Sequence, residues 1–224
     1  MGKDLFSAGE IIEALGPCIV PERRLRLQAV IAQRTYTVVP VLDGLYDHGN
    51  VNAVVRSAEA LGYQALHRID SSPGFKRAKR VSQGADKWLD IGLWPAPQPC
   101  VERLKELGYR IVATHFEDAR PIHDFDFTQP TAIVFGNEHD GVCPEILAAA
   151  DDRMVIPMTG FSQSFNISVA AALCLYHIRE ARVRVLGHHG DLSPEEEQAL
   201  TASYYLRSVS AAESILHRES EKRL

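Results

Sequence analysis

The sequence of 224 residues lacks several features that would place it in a specialised class of protein. Its cysteines, Cys18, Cys100, Cys143 and Cys174, are scattered and form no CxxC pair, so neither a zinc site nor a disulfide framework is predicted. No apolar run approaches the ~18 residues of a membrane-spanning helix, and the N-terminus does not resemble a secretion signal. These absences predict a cytoplasmic protein without a bound metal.

The chain also lacks an excess of positive charge. Its 24 Lys and Arg residues and 29 Asp and Glu residues give a formal net charge of −5, so any nucleic-acid binding must depend on local basic patches. No GxGxxG motif follows a first predicted strand, which argues against a nucleotide-dependent oxidoreductase. Hydrophobic residues make up 46% and charged residues 24%, the composition of an ordinary globular protein.

Predicted strands and helices alternate from residue 37 to residue 179, which indicates an α/β fold with a parallel sheet flanked by helices. Helical segments are predicted on both sides of this region, including one long helix from Pro194 to about Leu216. The predicted domains are an N-terminal helical extension (1–35), the α/β domain (36–182) and a C-terminal helical extension (183–224).

The most informative stretch runs from Met154 to Arg179 and changes from a strand into a helix. A short apolar run ends at Pro157, and an alanine-rich helical pattern begins at Ile167. Around this junction lie the small polar residues Ser162, Gln163, Ser164, Asn166 and Ser168. Capping of the helix needs only one such residue, whereas free N–H groups at a helix N-terminus can also meet an oxygen-bearing ligand. The pattern therefore favours a binding site here.

Two further motifs contain candidate site residues. In the first, NVNAVVRSAEALG, Asn50 is predicted to cap a helix, and Arg56 either extends to solvent or faces an anion. In the second, TAIVFGNEHDGV, a buried strand enters a glycine-bracketed loop, which is where open α/β sheets bind ligands. Glu138 in this loop is catalytic, structural or simply exposed.

Basic residues cluster in two places. One cluster lies on and just after the helix predicted to follow Pro21, and the other follows the second predicted strand. Each cluster is either a solvated surface or a contact surface for a phosphate backbone. The residues are Arg23, Arg24, Arg26 and Arg34 in the first cluster, and Lys76, Arg77, Lys79, Arg80 and Lys87 in the second.

Three motifs occur in one order: NVNAVVRSAEALG, TAIVFGNEHDGV and IPMTGFSQSFNISVAAAL. In these motifs the chain resembles the SPOUT superfamily of RNA methyltransferases, specifically the TrmH-type ribose 2′-O-methyltransferases, over roughly residues 20–215. The SQGADKW stretch is similar to the SxGxxKW element of the tRNA enzymes. The resemblance implies a deep trefoil knot over about residues 131–180, a homodimer and binding of S-adenosylmethionine.

The resemblance also implies roles for single residues. Thr114, Gly136, Ile156 and Phe165 match positions that bind the cofactor, although most of the family has leucine where Phe165 stands. The catalytic positions are matched by Asn50, Arg56, Glu138, Ser164 and Asn166. By this resemblance Arg56 is either a base assisted by an RNA phosphate or the donor that stabilises a developing alkoxide.

The length of the N-terminal extension bears on the RNA substrate. Only about 35 residues precede the first predicted strand, whereas relatives that modify ribosomal RNA commonly carry a separate N-terminal RNA-binding domain. The resemblance therefore favours the members that methylate the D-loop guanosine at position 18 of tRNA, with the two basic clusters binding the tRNA. Methylation of ribosomal RNA is the alternative within the family. A non-catalytic RNA-binding knot protein is the alternative from another class.

Overall fold

The computed structural model describes residues 6–70, 84–137 and 139–221. The described residues form two compact units. One unit comprises residues 35–189, and the other combines residues before 35 with residues after 189. No helix in the described ranges is long and apolar enough to cross a membrane. Within the same ranges, no group of three or more His, Cys, Asp and Glu side chains is placed to hold a metal ion.

The unit formed by residues 35–189 is built on a parallel sheet, which confirms the predicted α/β class. Within the described residues, the strand order is β3-β2-β1-β6-β4-β7-β5, and every neighbouring pair is parallel. The strands are β1 (Val38–Asp43), β2 (Ala65–Ile69), β3 (Asp90–Trp94), β4 (Arg110–Thr114), β5 (Arg120–Pro121), β6 (Thr131–Phe135) and β7 (Asp152–Val155). Because all strands point the same way, their carboxyl ends lie along one edge of the sheet.

Helices cover both faces of this sheet. They are α3 (His48–Ala60), α4 (Pro97–Glu106), α5 (Pro144–Ala149) and α6 (Ile167–Leu186). Along β1, Val38 and Leu42 point into the core formed with α3 and α6, while Val39 and Val41 point into the core formed with α4 and α5. This alternation explains why β1 is apolar from Val38 to Leu42: successive side chains enter two different cores.

The second unit contains the helices α1 (Ala8–Leu15), α2 (Pro21–Ile31), α7 (Pro194–Ser208) and α8 (Ala212–Glu221). Helix α1 packs on α7 and α8, and α2 packs on α7. The prediction of one long helix from Pro194 to about Leu216 is wrong. The backbone at Val209 is extended, with φ −99° and ψ 112°, which ends α7 before α8 begins.

Arg34 is a second correction in this unit. We predicted it on a basic surface, but it is only 1% exposed. Helix α2 ends at Ile31, so the helical periodicity that places Arg23 and Arg26 at the surface no longer applies at residue 34. The guanidinium group is therefore unavailable to an RNA phosphate, and Arg34 is not part of the predicted basic surface.

Candidate active site

A cavity of about 530 Å³ opens at the carboxyl ends of the neighbouring strands β6, β4 and β7. Its volume lies within the range of roughly 300–1,000 Å³ that is typical of small-molecule sites. Thr114 ends β4, Gly136 follows β6, Ile156 follows β7 and Phe165 precedes α6, and all four line the cavity. The fold thus brings together the four residues predicted to bind the cofactor.

Gly136 lies where no side chain can fit. A Cβ atom added there would be 2.0 Å from the carbonyl carbon of Gly141 and 2.1 Å from the backbone nitrogen of Val142. The same loop is closed by two hydrogen bonds between Asn137 and Gly141, each 3.1 Å between nitrogen and oxygen. Glycine at position 136 is therefore required by this close approach of two backbone segments.

Asn137 and Asp43 hold this loop in place, although we did not predict a role for either. The Asn137 side-chain oxygen accepts hydrogen bonds from the backbone N–H groups of His139 (2.9 Å) and Asp140 (2.8 Å). The buried Asp43 carboxylate accepts one from the Cys143 N–H (2.8 Å), and burial raises the pKa of Asp43. Asparagine in a glycine-bracketed loop is a sequence signal for such a turn.

Polar groups line the side of the cavity next to α6. Ser164 and Asn166 are both exposed there. The Asn166 side-chain oxygen caps α6 by accepting hydrogen bonds from the Ser168 N–H (2.9 Å) and hydroxyl (2.6 Å), so Asn166 is the small polar residue that caps this helix. Its amide nitrogen donates to none of the residues that the structure describes.

The lining fits a ligand with a planar ring and a polar, charged end. Ile156, Phe165 and Ala170 supply apolar contacts, while Ser164 and Asn166 supply polar ones. S-adenosylmethionine has this combination of an adenine ring and a charged methionine moiety. The Cys174 thiol also lines the cavity, and burial raises its pKa to about 12, so it remains neutral at ordinary pH.

The fold does not bring Asn50 and Arg56 into the lining of this cavity. Asn50 lies in the first turn of α3, but the helix is capped by Asp47, whose carboxylate accepts a hydrogen bond from the Asn50 N–H (2.7 Å). The prediction that Asn50 is the cap is therefore wrong. Arg56 is exposed about 9 Å further along α3, and it makes no hydrogen bond or ion pair with the described residues.

The remaining predicted site residues are at the surface or outside the described ranges. Arg23 and Arg26 are exposed on α2, and Arg24 is half-buried. Lys87 is exposed, with its ammonium group 5.2 Å from the centre of the Trp88 ring. The predicted residues outside the described ranges are Lys76, Arg77, Lys79, Arg80 and Glu138.

Two relatives of known activity resemble most of this chain. A tRNA (guanosine(18)-2′-O)-methyltransferase of Thermus thermophilus is 34% identical over 184 residues, which cover 81% of this chain and 95% of that protein. A 23S rRNA (guanosine(2553)-2′-O)-methyltransferase of Bacillus subtilis is 28% identical over 187 residues, which cover 80% of this chain and 71% of that protein.

Solved structures agree with these sequence relationships. The A. aeolicus TrmH/SpoU tRNA modifying enzyme has a TM-score of 0.75 and 32% identity, covering 84% of this chain and 97% of that chain. The SpoU methyltransferase AviRb from Streptomyces viridochromogenes, in complex with AdoMet, has a TM-score of 0.59 and 28% identity, covering 70% and 64% respectively. Residues 37–176 match the SpoU rRNA Methylase family. The resemblance predicted from the three motifs is thus confirmed, and the chain belongs to this family of RNA methyltransferases.

Proposed function

We propose that this protein is an S-adenosylmethionine-dependent tRNA (guanosine-18-2′-O)-methyltransferase. The observation that carries the proposal is the cavity in which Thr114, Gly136, Ile156 and Phe165 meet. It is supported by the similarity to a tRNA (guanosine(18)-2′-O)-methyltransferase over 95% of that protein's length. The similarity to a 23S rRNA methyltransferase makes ribosomal RNA the second candidate substrate, at lower identity and over a smaller share of that protein.

The proposed reaction transfers a methyl group to a ribose 2′-hydroxyl, which is a poor nucleophile until it loses its proton. S-adenosylmethionine would supply a methyl group already activated by the sulfonium, which would be left as a neutral thioether, and the hydroxyl proton would pass to solvent. The protein must therefore align the oxygen and stabilise the negative charge that develops on it. Ser164 and Asn166 are two of the polar side chains of the cavity, and they would orient the ribose or the methionine end of the cofactor. Glu138 is assigned to orienting a neighbouring group.

We assign Arg56 to charge stabilisation. A guanidinium group holds its proton tightly, so it is a weak general base but a strong donor to an oxyanion. Two observations support this assignment: the side chain is exposed, and no described residue occupies it through a hydrogen bond or ion pair. Asn50, about 1.7 turns earlier on α3, would help to position the RNA or the arginine.

The trefoil knot is also part of the proposal. The knot is supported by the arrangement of two loops. The loops at residues 136–141 and 156–166 both line the cavity, and α6 follows the second loop directly. In the proposed knot the segment ending in α6 threads through the loop that precedes it. An experimental electron-density map tests this, because a chain trace in which residues 131–180 form no threaded loop would refute the knot.

We further propose that the protein is a homodimer that associates through α6. Val169, Leu173 and Tyr176 recur at helical spacing and are 47%, 44% and 56% exposed, so they form an apolar stripe on one side of the helix. A second copy packed on this stripe would also complete the active site, because Arg56 of the same chain does not line the cavity. The partner's α3 could then supply the arginine.

Leu173→Glu is expected to convert the dimer into monomers and to remove most methyl transfer, because it places a charge in the middle of the apolar stripe. Sedimentation velocity measures the oligomeric state, and circular dichroism checks the fold. Val185→Glu is the matched control, since Val185 is 71% exposed on the same helix about 160° around from Val169. A dimeric, active Leu173→Glu variant would refute this interface.

The proposed substrate is tested with labelled S-adenosylmethionine and tRNA transcripts that carry the D-loop guanosine or an adenosine in its place. We expect transfer to the first transcript alone. We propose that the tRNA backbone binds to the terminal extensions (1–35 and 183–224) and to the basic residues around Lys76–Lys87. The affinity for tRNA should therefore fall steeply as the salt concentration rises. Equal methylation of both transcripts would refute the tRNA site, and methylation of ribosomal RNA alone would favour the second candidate.

A further inference from the structure

Phe116 is an exposed aromatic residue at the rim of the cavity. It follows β4 by two residues, lines the same cavity as Gly136 and Phe165, and is 76% exposed. A single exposed apolar side chain on a protein surface is ordinary. The ring contacts of Phe116 and its place beside the proposed site are what distinguish it.

The phenyl ring is backed by the imidazole of His115. The two ring centroids are 4.9 Å apart, and the ring planes differ by 10°, so the rings are stacked. The backbone fixes His115 at both ends: its N–H donates to the Met154 carbonyl (3.0 Å), and its Nδ1 accepts from the Glu117 N–H (3.1 Å). Because these contacts are made in the free protein, a flat aromatic surface is already in place before any ligand binds.

The chemistry of this surface selects a neutral planar ligand. Phe116 offers a π-face and no hydrogen-bonding group, which suits a nucleobase and does not suit a phosphate. The next residue, Glu117, is an exposed acidic residue that would repel a phosphate, whereas the Asp118 carboxylate forms an ion pair with the Arg153 guanidinium (3.9 Å). The cofactor is a poor candidate for this surface, since a bound small molecule is usually mostly buried, whereas Phe116 stands largely in solvent.

We infer that Phe116, backed by His115, is a stacking platform for the base of the nucleotide whose ribose is methylated. This inference rests on the proposed function and adds a residue that recognises the RNA. Phe116 is a positioning residue: stacking of the base restricts rotation of the nucleotide and holds the ribose 2′-hydroxyl near the cavity. Every base has a π-face, so the platform adds affinity and alignment, while selection of guanine needs other contacts.

The first test compares Phe116→Ala and Phe116→Trp with the wild type on the tRNA transcript that carries the D-loop guanosine. Alanine is expected to raise KM for the tRNA or lower kcat/KM by roughly 5- to 150-fold, the usual cost of losing one base-stacking ring. Tryptophan should retain most activity because it offers a larger ring. Cofactor affinity, measured by calorimetric titration with S-adenosylmethionine, and the oligomeric state should remain unchanged in both variants.

Leu107→Ala is the matched control. Leu107 is 51% exposed and precedes the amino end of β4, about 16 Å along the strand direction from the end that carries Phe116. Its replacement removes an exposed apolar side chain without touching the cavity, so wild-type kinetics are expected. A similar loss of activity in Leu107→Ala and Phe116→Ala would mean that the effect is not specific to the platform and would overturn the inference.

The second test identifies the stacked base. A synthetic tRNA with an abasic ribose at position 18 keeps the 2′-hydroxyl but has no base to stack. If Phe116 contacts that base, the abasic substitution and Phe116→Ala should give non-additive losses, since either change alone removes the same contact. Fully additive losses would place the base elsewhere and overturn the inference, as would a changed cofactor affinity or oligomeric state in Phe116→Ala.

The same measurements separate this inference from the proposed function. Methyl transfer by the wild type together with a fully active Phe116→Ala variant would overturn the platform alone. No transfer by the wild type to any RNA would overturn the proposed function, and the platform with it.

Discussion

Replacing Arg56 with alanine is expected to lower methyl transfer by at least about 10²- to 10³-fold, the usual cost of removing a donor that stabilises an oxyanion. The loss should appear in kcat, because the charge on the ribose oxygen develops only in the transition state. Binding of S-adenosylmethionine should be unaffected, since Arg56 does not line the cavity of its own chain.

The variant should remain folded. Helix α3 uses Val51, Val54, Val55 and Ala58 to face the core, and Arg56 lies among the exposed positions of the helix. Alanine is the best helix former, so the substitution should change the free energy of unfolding by less than about 0.5 kcal/mol. A thermal unfolding curve that superimposes on that of the wild type would establish this.

Single-turnover transfer from labelled cofactor measures the effect, with Arg103→Ala as the control. Arg103 is an exposed arginine of α4 whose ion pair with Glu106 is on the surface, so its loss changes the net charge equally and should leave activity intact. Arg56→Lys separates the effect of positive charge from the effect of directed hydrogen bonds. A lysine keeps the charge but lacks the planar pair of donors of arginine. A folded Arg56→Ala variant with most of its activity would refute the proposed mechanism.

Replacing Gly136 with alanine is expected to abolish cofactor binding and to destabilise the protein. The added Cβ would lie within 2.2 Å of three backbone atoms of Gly141 and Val142, so one of the two segments has to move. The segments are fixed by the Asn137–Gly141 hydrogen bonds and by the Asp43–Cys143 contact. We expect a cost of at least about 1–3 kcal/mol in the free energy of unfolding, as for other overpacked sites.

Thermal unfolding and calorimetric titration with S-adenosylmethionine test this prediction. A cost of this size lowers Tm by about 2–12 °C in a protein of this length, at about 2–4 °C per kcal/mol. Gly160→Ala is the control, because among the described residues, its two chain neighbours aside, no atom lies within 4 Å of an added Cβ, and its Tm and cofactor affinity should match the wild type. If Gly136→Ala bound S-adenosylmethionine with wild-type affinity, the loop at residues 136–141 would be excluded from the cofactor site.

Local pattern predicted most of the α/β elements within a residue or two. The second predicted strand corresponds to β2 (Ala65–Ile69), and the buried strand that opens the motif TAIVFGNEHDGV corresponds to β6 (Thr131–Phe135). Strands of this kind are apolar runs between turn residues, so the signal lies within the segment itself. The start of α3 is harder to predict because Asp47 and Asn50 are both good caps. Only the extended backbone conformation observed at Asp47 identifies it as the cap.

The sequence by itself determined the fold class, the order of the elements and, through three ordered motifs, the family. These properties are encoded in short segments: hydrophobic periodicity, turn residues and groups of residues close together in the chain. The tertiary structure alone decided that residues 114, 136, 156 and 165 surround one cavity, since that depends on β4 lying between β6 and β7. Burial of Arg34 and exposure of Phe116 were likewise decided by packing between distant segments, which no local pattern records.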